Sequence, residues 1–144
     1  MNFLVIDDDK QIGAIMLAHL RNLKHEVVLA ENPKVGAALC ISGTFDVIIT
    51  DVCMPDVDGL EILAIIQMQK KEKEEYEKEH GKDSYEKKIP KCIVMTGGGQ
   101  RLAAGGMQMD SELALGLGAL AVLFKPFNKN DIKEIINKLE KGQL

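Results

Sequence analysis

The chain has 144 residues, 46 % hydrophobic and 28 % charged, with a formal net charge of −4. Its length suits one domain with a core of its own, and its composition is that of an ordinary globular protein. The acidic balance leaves no basic footprint for nucleic acid, and no apolar run approaches the roughly 20 residues of a membrane span. The segment after Met1 runs into three aspartates and is no signal peptide, so a cytoplasmic protein is expected, with neither nucleic acid nor membrane as a direct partner. Cys40, Cys53 and Cys92, odd in number and widely spaced, read as three reduced thiols.

Short β-rich runs alternate with helix-period runs, the pattern of an α/β protein with a parallel sheet and helices on both faces. Residues 3–6 form the first strand and end in Asp7-Asp8-Asp9. Ile12, Ile15, Met16, Leu20 and Leu23 then recur at helical spacing, with Asp9 as a first-turn acid. Residues 27–30 are a second strand; Asn32 can cap the next helix, Pro33 suits its first position, and Val35, Ala38 and Leu39 form its apolar stripe. The third strand, 45–50, delivers Asp51 into a loop, and a helix starts near Gly59 with Asp58 and Glu61 placed as in a capping box. Its apolar face is Leu60, Leu63 and Ile66. Strand 92–96 precedes a glycine-rich loop and a weak helix over 110–117. Strand 120–124 and a last helix carrying Ile132, Ile135, Ile136 and Leu139, cappable by Asn128, complete five βα units.

One segment breaks the rhythm. Residues 70–88 hold seven lysines and seven acids, so they carry no net charge and little to bury. Pairing of Glu74 with Lys78 supports a solvent-exposed extension of the third helix to about His80-Gly81. The expected organisation is one domain over 1–144, with a charged insertion at about 68–90 extending helix three.

The chemistry lies at the strand ends. In a doubly wound sheet, ligands bind beyond the carboxyl ends of the strands. With strands one and three adjacent, Asp7, Asp8 and Asp51 converge, and three carboxylates repel unless a cation neutralises them. Mg²⁺ suits such an oxygen site, and Mn²⁺ could substitute. A phosphoryl group on Asp51 would need donors for its other oxygens, which strand four offers in Thr96 and strand five in Lys125.

The ordered stretches Phe3-Leu4-Val5-Ile6-Asp7-Asp8, Asp51-Val52-Cys53-Met54-Pro55 through Asp58-Gly59, Val94-Met95-Thr96-Gly97 and Lys125-Pro126-Phe127 resemble a response-regulator receiver domain of bacterial two-component signalling. The resemblance runs from residue 2 to about 140. It implies a flavodoxin-like, five-stranded parallel sheet of order 2-1-3-4-5. It makes Asp51 the phosphoacceptor and Asp8 a direct Mg²⁺ ligand, with Asp7 acting mainly through a metal-bound water and the Cys53 backbone carbonyl as a further ligand. Thr96, Gly97 and Lys125 would form the phosphate-binding and switch region, and the Lys125-Pro126 bond would be cis. The phosphodonor would be a histidine kinase or histidine phosphotransfer protein, and a downstream protein of unknown identity would read the state. Such a domain promotes its own phosphorylation and dephosphorylation and is no multiple-turnover enzyme.

Two departures bear on how the state is transmitted. Many receivers carry an aromatic residue three positions before the lysine, where this chain has Val122. Gly97-Gly98-Gly99 and Gly105-Gly106 make the loop after Thr96 entropically loose, so the expected response to phosphorylation is a backbone rearrangement there. The alternatives fit less well. A haloacid-dehalogenase-like phosphatase would want an Asp where Cys53 stands. A receiver-shaped interaction module working without phosphate would not need the intact acidic set.

Overall fold

The computed structural model describes residues 1–52, 54, 59–97 and 111–144. Five strands, β1 (Asn2–Ile6), β2 (Glu26–Ala30), β3 (Val47–Asp51), β4 (Lys91–Thr96) and β5 (Ala121–Phe124), alternate with α1 (Lys10–Asn22), α2 (Pro33–Ser42), α3 (Gly59–His80), α4 (Ser111–Gly116) and α5 (Lys129–Glu140). The sheet is parallel throughout, in the order β2-β1-β3-β4-β5. The order reverses between β1 and β3, where Phe3 pairs with Val47 and Ile6 with Thr50.

Strand alternation sorts the core into two layers, as a parallel sheet covered on both faces requires. Leu4, Ile6, Ile48, Cys92 and Val94 meet Cys40 of α2, Ile62, Leu63 and Ile66 of α3 and Ala114 of α4. Phe3, Val5, Val47, Ile49, Ile93 and Met95 face the other way, onto Met16 and Leu20 of α1 and Ile132, Ile136 and Leu139 of α5.

Two helix faces differ from the sequence expectation. In α1 the buried stripe is Gly13, Met16 and Leu20, and Ile15 stands 48 % exposed. In α2 it is Pro33, Gly36 and Cys40, while Val35 is 51 % exposed. Close approach is the reason in both. A Cβ on Gly13 would lie 2.9 Å from Leu29, and one on Gly36 2.7 Å from the Ile6 side chain. The missing side chains let each helix sit down on the sheet at the glycine, which turns the neighbouring apolar residue outward. The caps follow the sequence: Asn32 accepts from Lys34 and Val35 amides, and Asn128 forms a capping box with Asp131. Asp58 lies outside the described residues.

The charged segment is helical to His80, and its inward stripe continues past Ile62 and Ile66 through Gln69 to half-buried Lys73 and Glu77. Gln69 donates to the Cys40 carbonyl at 3.0 Å. The helical ion pair is Lys73 with Glu77, one position earlier than the expected Glu74 with Lys78. The return segment is not loose surface, contrary to its composition. Tyr76 stacks on His80 at 4.0 Å and meets Tyr85 edge-on at 5.7 Å. Lys87 donates to the Ile41 carbonyl at the end of α2, Lys88 pairs with Asp46, and Ile89 packs against the core.

Candidate functional site

The C-terminal ends of β1, β3, β4 and β5 deliver the polar groups of the site. Asp7 follows β1, with its amide donating to the Ala30 carbonyl of β2 at 3.2 Å, and is fully buried. Asp8 beside it is exposed. Asp51 closes β3 at 4 % exposure, and Thr96 closes β4 with none. Lys125 follows β5; its amide donates to the Thr96 carbonyl at 2.7 Å, and its bond to Pro126 is cis, as the resemblance implied.

Carboxylate oxygens of Asp7, Asp8 and Asp51 all lie within 4.8 Å of one another. The Lys125 ammonium donates to Asp51 Oδ2 at 3.1 Å and reaches Asp7 Oδ2 at 3.4 Å. Burial pushes the Asp7 carboxyl up to about 6; the Asp9 amide, which donates to Asp7 Oδ1 at 2.9 Å, opposes this, Asp51 adds to it and Lys125 subtracts. Burial alone would pull Lys125 down, but the Asp51 and Asp7 carboxylates outweigh it and hold the ammonium above its ordinary range. The pocket therefore holds more negative charge than one lysine balances.

The donor set fits a hard divalent cation. Opposed oxygens around Mg²⁺, each at about 2.1 Å, lie about 4.2 Å apart, so three carboxylates within 4.8 Å need little adjustment. Exposure of Asp8 leaves one side open to water, and the oxygen-only chemistry disfavours zinc or copper.

The structure thus brings together Asp7, Asp8, Asp51 and Lys125. Thr96 lies at the same edge, hydrogen-bonded through its carbonyl to Lys125. Asp9 is separate: its side chain accepts from the Gln11 and Ile12 amides and caps α1. Val122 is half-buried, paired with Val94 and packed against the α2–α4 layer. The Cys53 carbonyl and the glycines at 98, 99, 105 and 106 lie outside the described residues.

Sequence reading missed a cleft of about 430 Å³ beside the pocket, lined by Ile12, Ile15, Gly97, Lys125, Pro126 and Phe127. Its signal was present: Ile12 and Ile15 follow the acidic triplet, and Phe127 follows the lysine. Helical spacing assigned the isoleucines to the core instead.

The family description "response regulator receiver domain" matches residues 3–75, just over half the chain. The chain belongs to this family. The match spans β1 to most of α3 and so includes the three aspartates, while Thr96 and Lys125 lie beyond it. Among curated proteins, this receiver is 33 % identical over 67 residues to the transcriptional regulatory protein CusR of Escherichia coli K12, across 46 % of this chain. It spans 30 % of the length of that relative. Among solved structures, the chemotaxis response regulator CheY4 of Vibrio cholerae superposes with a TM-score of 0.70 at 23 % identity, covering 96 % of this receiver and 97 % of that chain. The Saccharomyces cerevisiae receiver domain of Ssk1, in co-crystal with the histidine phosphotransfer protein Ypd1, gives 0.70 at 24 % identity, covering 96 % and 87 %. No helix among the described residues is long and apolar enough to cross a membrane.

Proposed function

We propose that residues 1–144 form one receiver that takes a phosphoryl group onto Asp51 from a phosphohistidine on a histidine kinase or phosphotransfer protein. A carboxylate oxygen of Asp51 attacks phosphorus, the phosphorus–nitrogen bond breaks, and the departing imidazole keeps or regains its proton. The observation that carries this reading is the Lys125 ammonium, 3.1 Å from Asp51 in a pocket of three carboxylates. It balances the nucleophile before transfer and pairs with a phosphoryl oxygen after it. The Thr96 hydroxyl is assigned to a second oxygen.

Asp7, Asp8 and Asp51 would hold Mg²⁺, with the Cys53 carbonyl as a further ligand. When bound, the ion neutralises charge on the transferring group and on the aspartates. The cleft formed by Ile12, Ile15, Pro126 and Phe127 opens beside Lys125 and gives an apolar seat for the donor protein; a histidine phosphotransfer protein is the partner in the Ssk1–Ypd1 co-crystal among the similar structures. A change at Asp51 then alters the surface offered to a downstream protein.

The test is chemical. With Mg²⁺ and acetyl phosphate, the protein should gain one hydroxylamine-labile phosphoryl group, and Asp51→Asn should gain none. Undiminished labelling of Asp51→Asn would place the acceptor elsewhere.

A further inference from the structure

Asp9 lies beside the acidic pocket without joining it, and its bonds tie the pocket to α1. Its Oδ1 accepts from the Gln11 amide at 2.9 Å and from the Ile12 amide at 3.2 Å. Its carbonyl accepts from the Gly13 amide at 3.0 Å, at the glycine where α1 sits down on Leu29 of β2. Its own amide donates to Asp7 Oδ1 at 2.9 Å. One exposed residue is thus held by the first turn of the helix and in turn holds a buried carboxylate.

These bonds reach further than the helix end. The amide that bonds Asp7 belongs to the Asp8–Asp9 peptide, whose plane also contains the Asp8 Cα. Fixing the direction of that N–H therefore fixes the plane from which the Asp8 side chain departs. Asp7 is pinned from the other side, its amide donating to the Ala30 carbonyl at 3.2 Å. Asp8, with a carboxylate oxygen within 4.8 Å of those of Asp7 and Asp51, stands between two anchored neighbours. The same bond occupies Asp7 Oδ1 and leaves Oδ2 to Lys125 at 3.4 Å. Three like charges oppose this convergence until a cation neutralises them, so the anchor works against a standing repulsion.

We propose that Asp9 is a positioning residue for the divalent-cation site, acting through its cap on α1 and not through its charge. This role rests on the reading of Asp7, Asp8 and Asp51 as that site. When the side chain at position 9 no longer holds the Gln11 and Ile12 amides, the first turn of α1 frays and the Asp8–Asp9 peptide turns freely. Only the fraction of molecules with that peptide in place then binds the ion tightly, and the apparent affinity falls by that fraction. A helix cap biases its equilibrium by a factor of about five, which sets the size of the loss. Asp and Asn cap equally well, whereas Glu keeps the charge and is no N-cap residue. Charge and position are therefore separable.

The experiment uses the full chain, as parent and as Asp9→Ala, Asp9→Asn and Asp9→Glu, with Mg²⁺ binding measured by calorimetry and amide protection measured in chelator. Asp9→Ala and Asp9→Glu should bind Mg²⁺ about fivefold more weakly than the parent, and Asp9→Asn within about twofold of it. In chelator, the amide of residue 9 should lose protection in Asp9→Ala and Asp9→Glu and keep it in Asp9→Asn. A cap that serves α1 alone would expose the Gln11 and Ile12 amides while leaving residue 9 and the Mg²⁺ affinity as they were, and that result overturns the proposal. So does an Asp9→Asn affinity as low as that of Asp9→Ala, which would assign the effect to charge. Should Asp9→Ala fail to fold, Asp9→Glu against Asp9→Asn decides. A parent that binds no Mg²⁺ would sink the reading of the site and the proposal with it; variants that all bind as the parent does would sink the proposal alone.

Discussion

Substituting Asp7 by Asn should make the metal-free protein more stable at neutral pH and change it far less at pH 5. Asp7 is fully buried, and its carboxyl titrates at about 6 against an ordinary 3.8. A carboxyl whose folded value lies above its unfolded one stabilises the fold through its bound proton. That contribution is complete below about 3.8 and is lost as pH rises through about 6. At pH 5 most folded molecules carry the proton and few unfolded ones do, a difference of about 1.4 kcal/mol; by pH 7.5 it has vanished. Asn keeps a carbonyl oxygen for the Asp9 amide and has no proton to lose. The stability of Asp7→Asn relative to the parent should therefore rise by about 1.4 kcal/mol, about tenfold in the folding constant, between pH 5 and pH 7.5. Urea denaturation in chelator, followed by far-ultraviolet circular dichroism at both pH values, measures it. Saturating Mg²⁺ should narrow the gap at pH 7.5 by stabilising only the parent. A stability difference that stays flat between the two pH values refutes the account of a buried, under-compensated charge.

The same carboxyl sets a second expectation: Mg²⁺ affinity, measured by calorimetry, should fall as pH drops through about 6, because the ion must displace the Asp7 proton. Ile15→Asp should leave labelling by acetyl phosphate unchanged while slowing transfer from a phosphohistidine protein at least several-fold; equal rates would mean that the cleft beside Lys125 is not the donor's seat. Gly36→Ala should cost about 1–3 kcal/mol in urea denaturation, since the new methyl group meets the fully buried Ile6 at 2.7 Å.

Strand identity and the acidic pocket were legible because both are written in short local runs: a strand buried on both faces needs only a β-rich pentad, and each strand end names its polar residue at once. Helix faces were less so. Ile15 and Val35 sit at good helical spacing, and nothing local to them tells that Gly13 and Gly36 make the closest approach to the sheet and rotate the buried stripe. The raised Asp7 carboxyl was equally hidden, because it comes mainly from burial by the folded chain, with a smaller push from Asp51 on another strand and against the pull of Lys125. The return of the charged segment onto α2 misled for a different reason. Composition counts charges, and does not tell that Lys87 reaches a helix-end carbonyl and Lys88 pairs with Asp46 while both stay at the surface.

The overhang of α3, its charged end beyond Ile66, decides what light can report about this molecule. The chain has no tryptophan, and its two tyrosines, Tyr76 and Tyr85, touch each other on that overhang, with His80 stacked on one of them. Emission excited in the tyrosine band, and most of the near-ultraviolet dichroism, therefore comes from one pole of the protein and from none of its core. A melting curve read by tyrosine emission follows the undocking of the arm, and an emission change on adding a phosphodonor is a signal carried the length of the domain from Asp51.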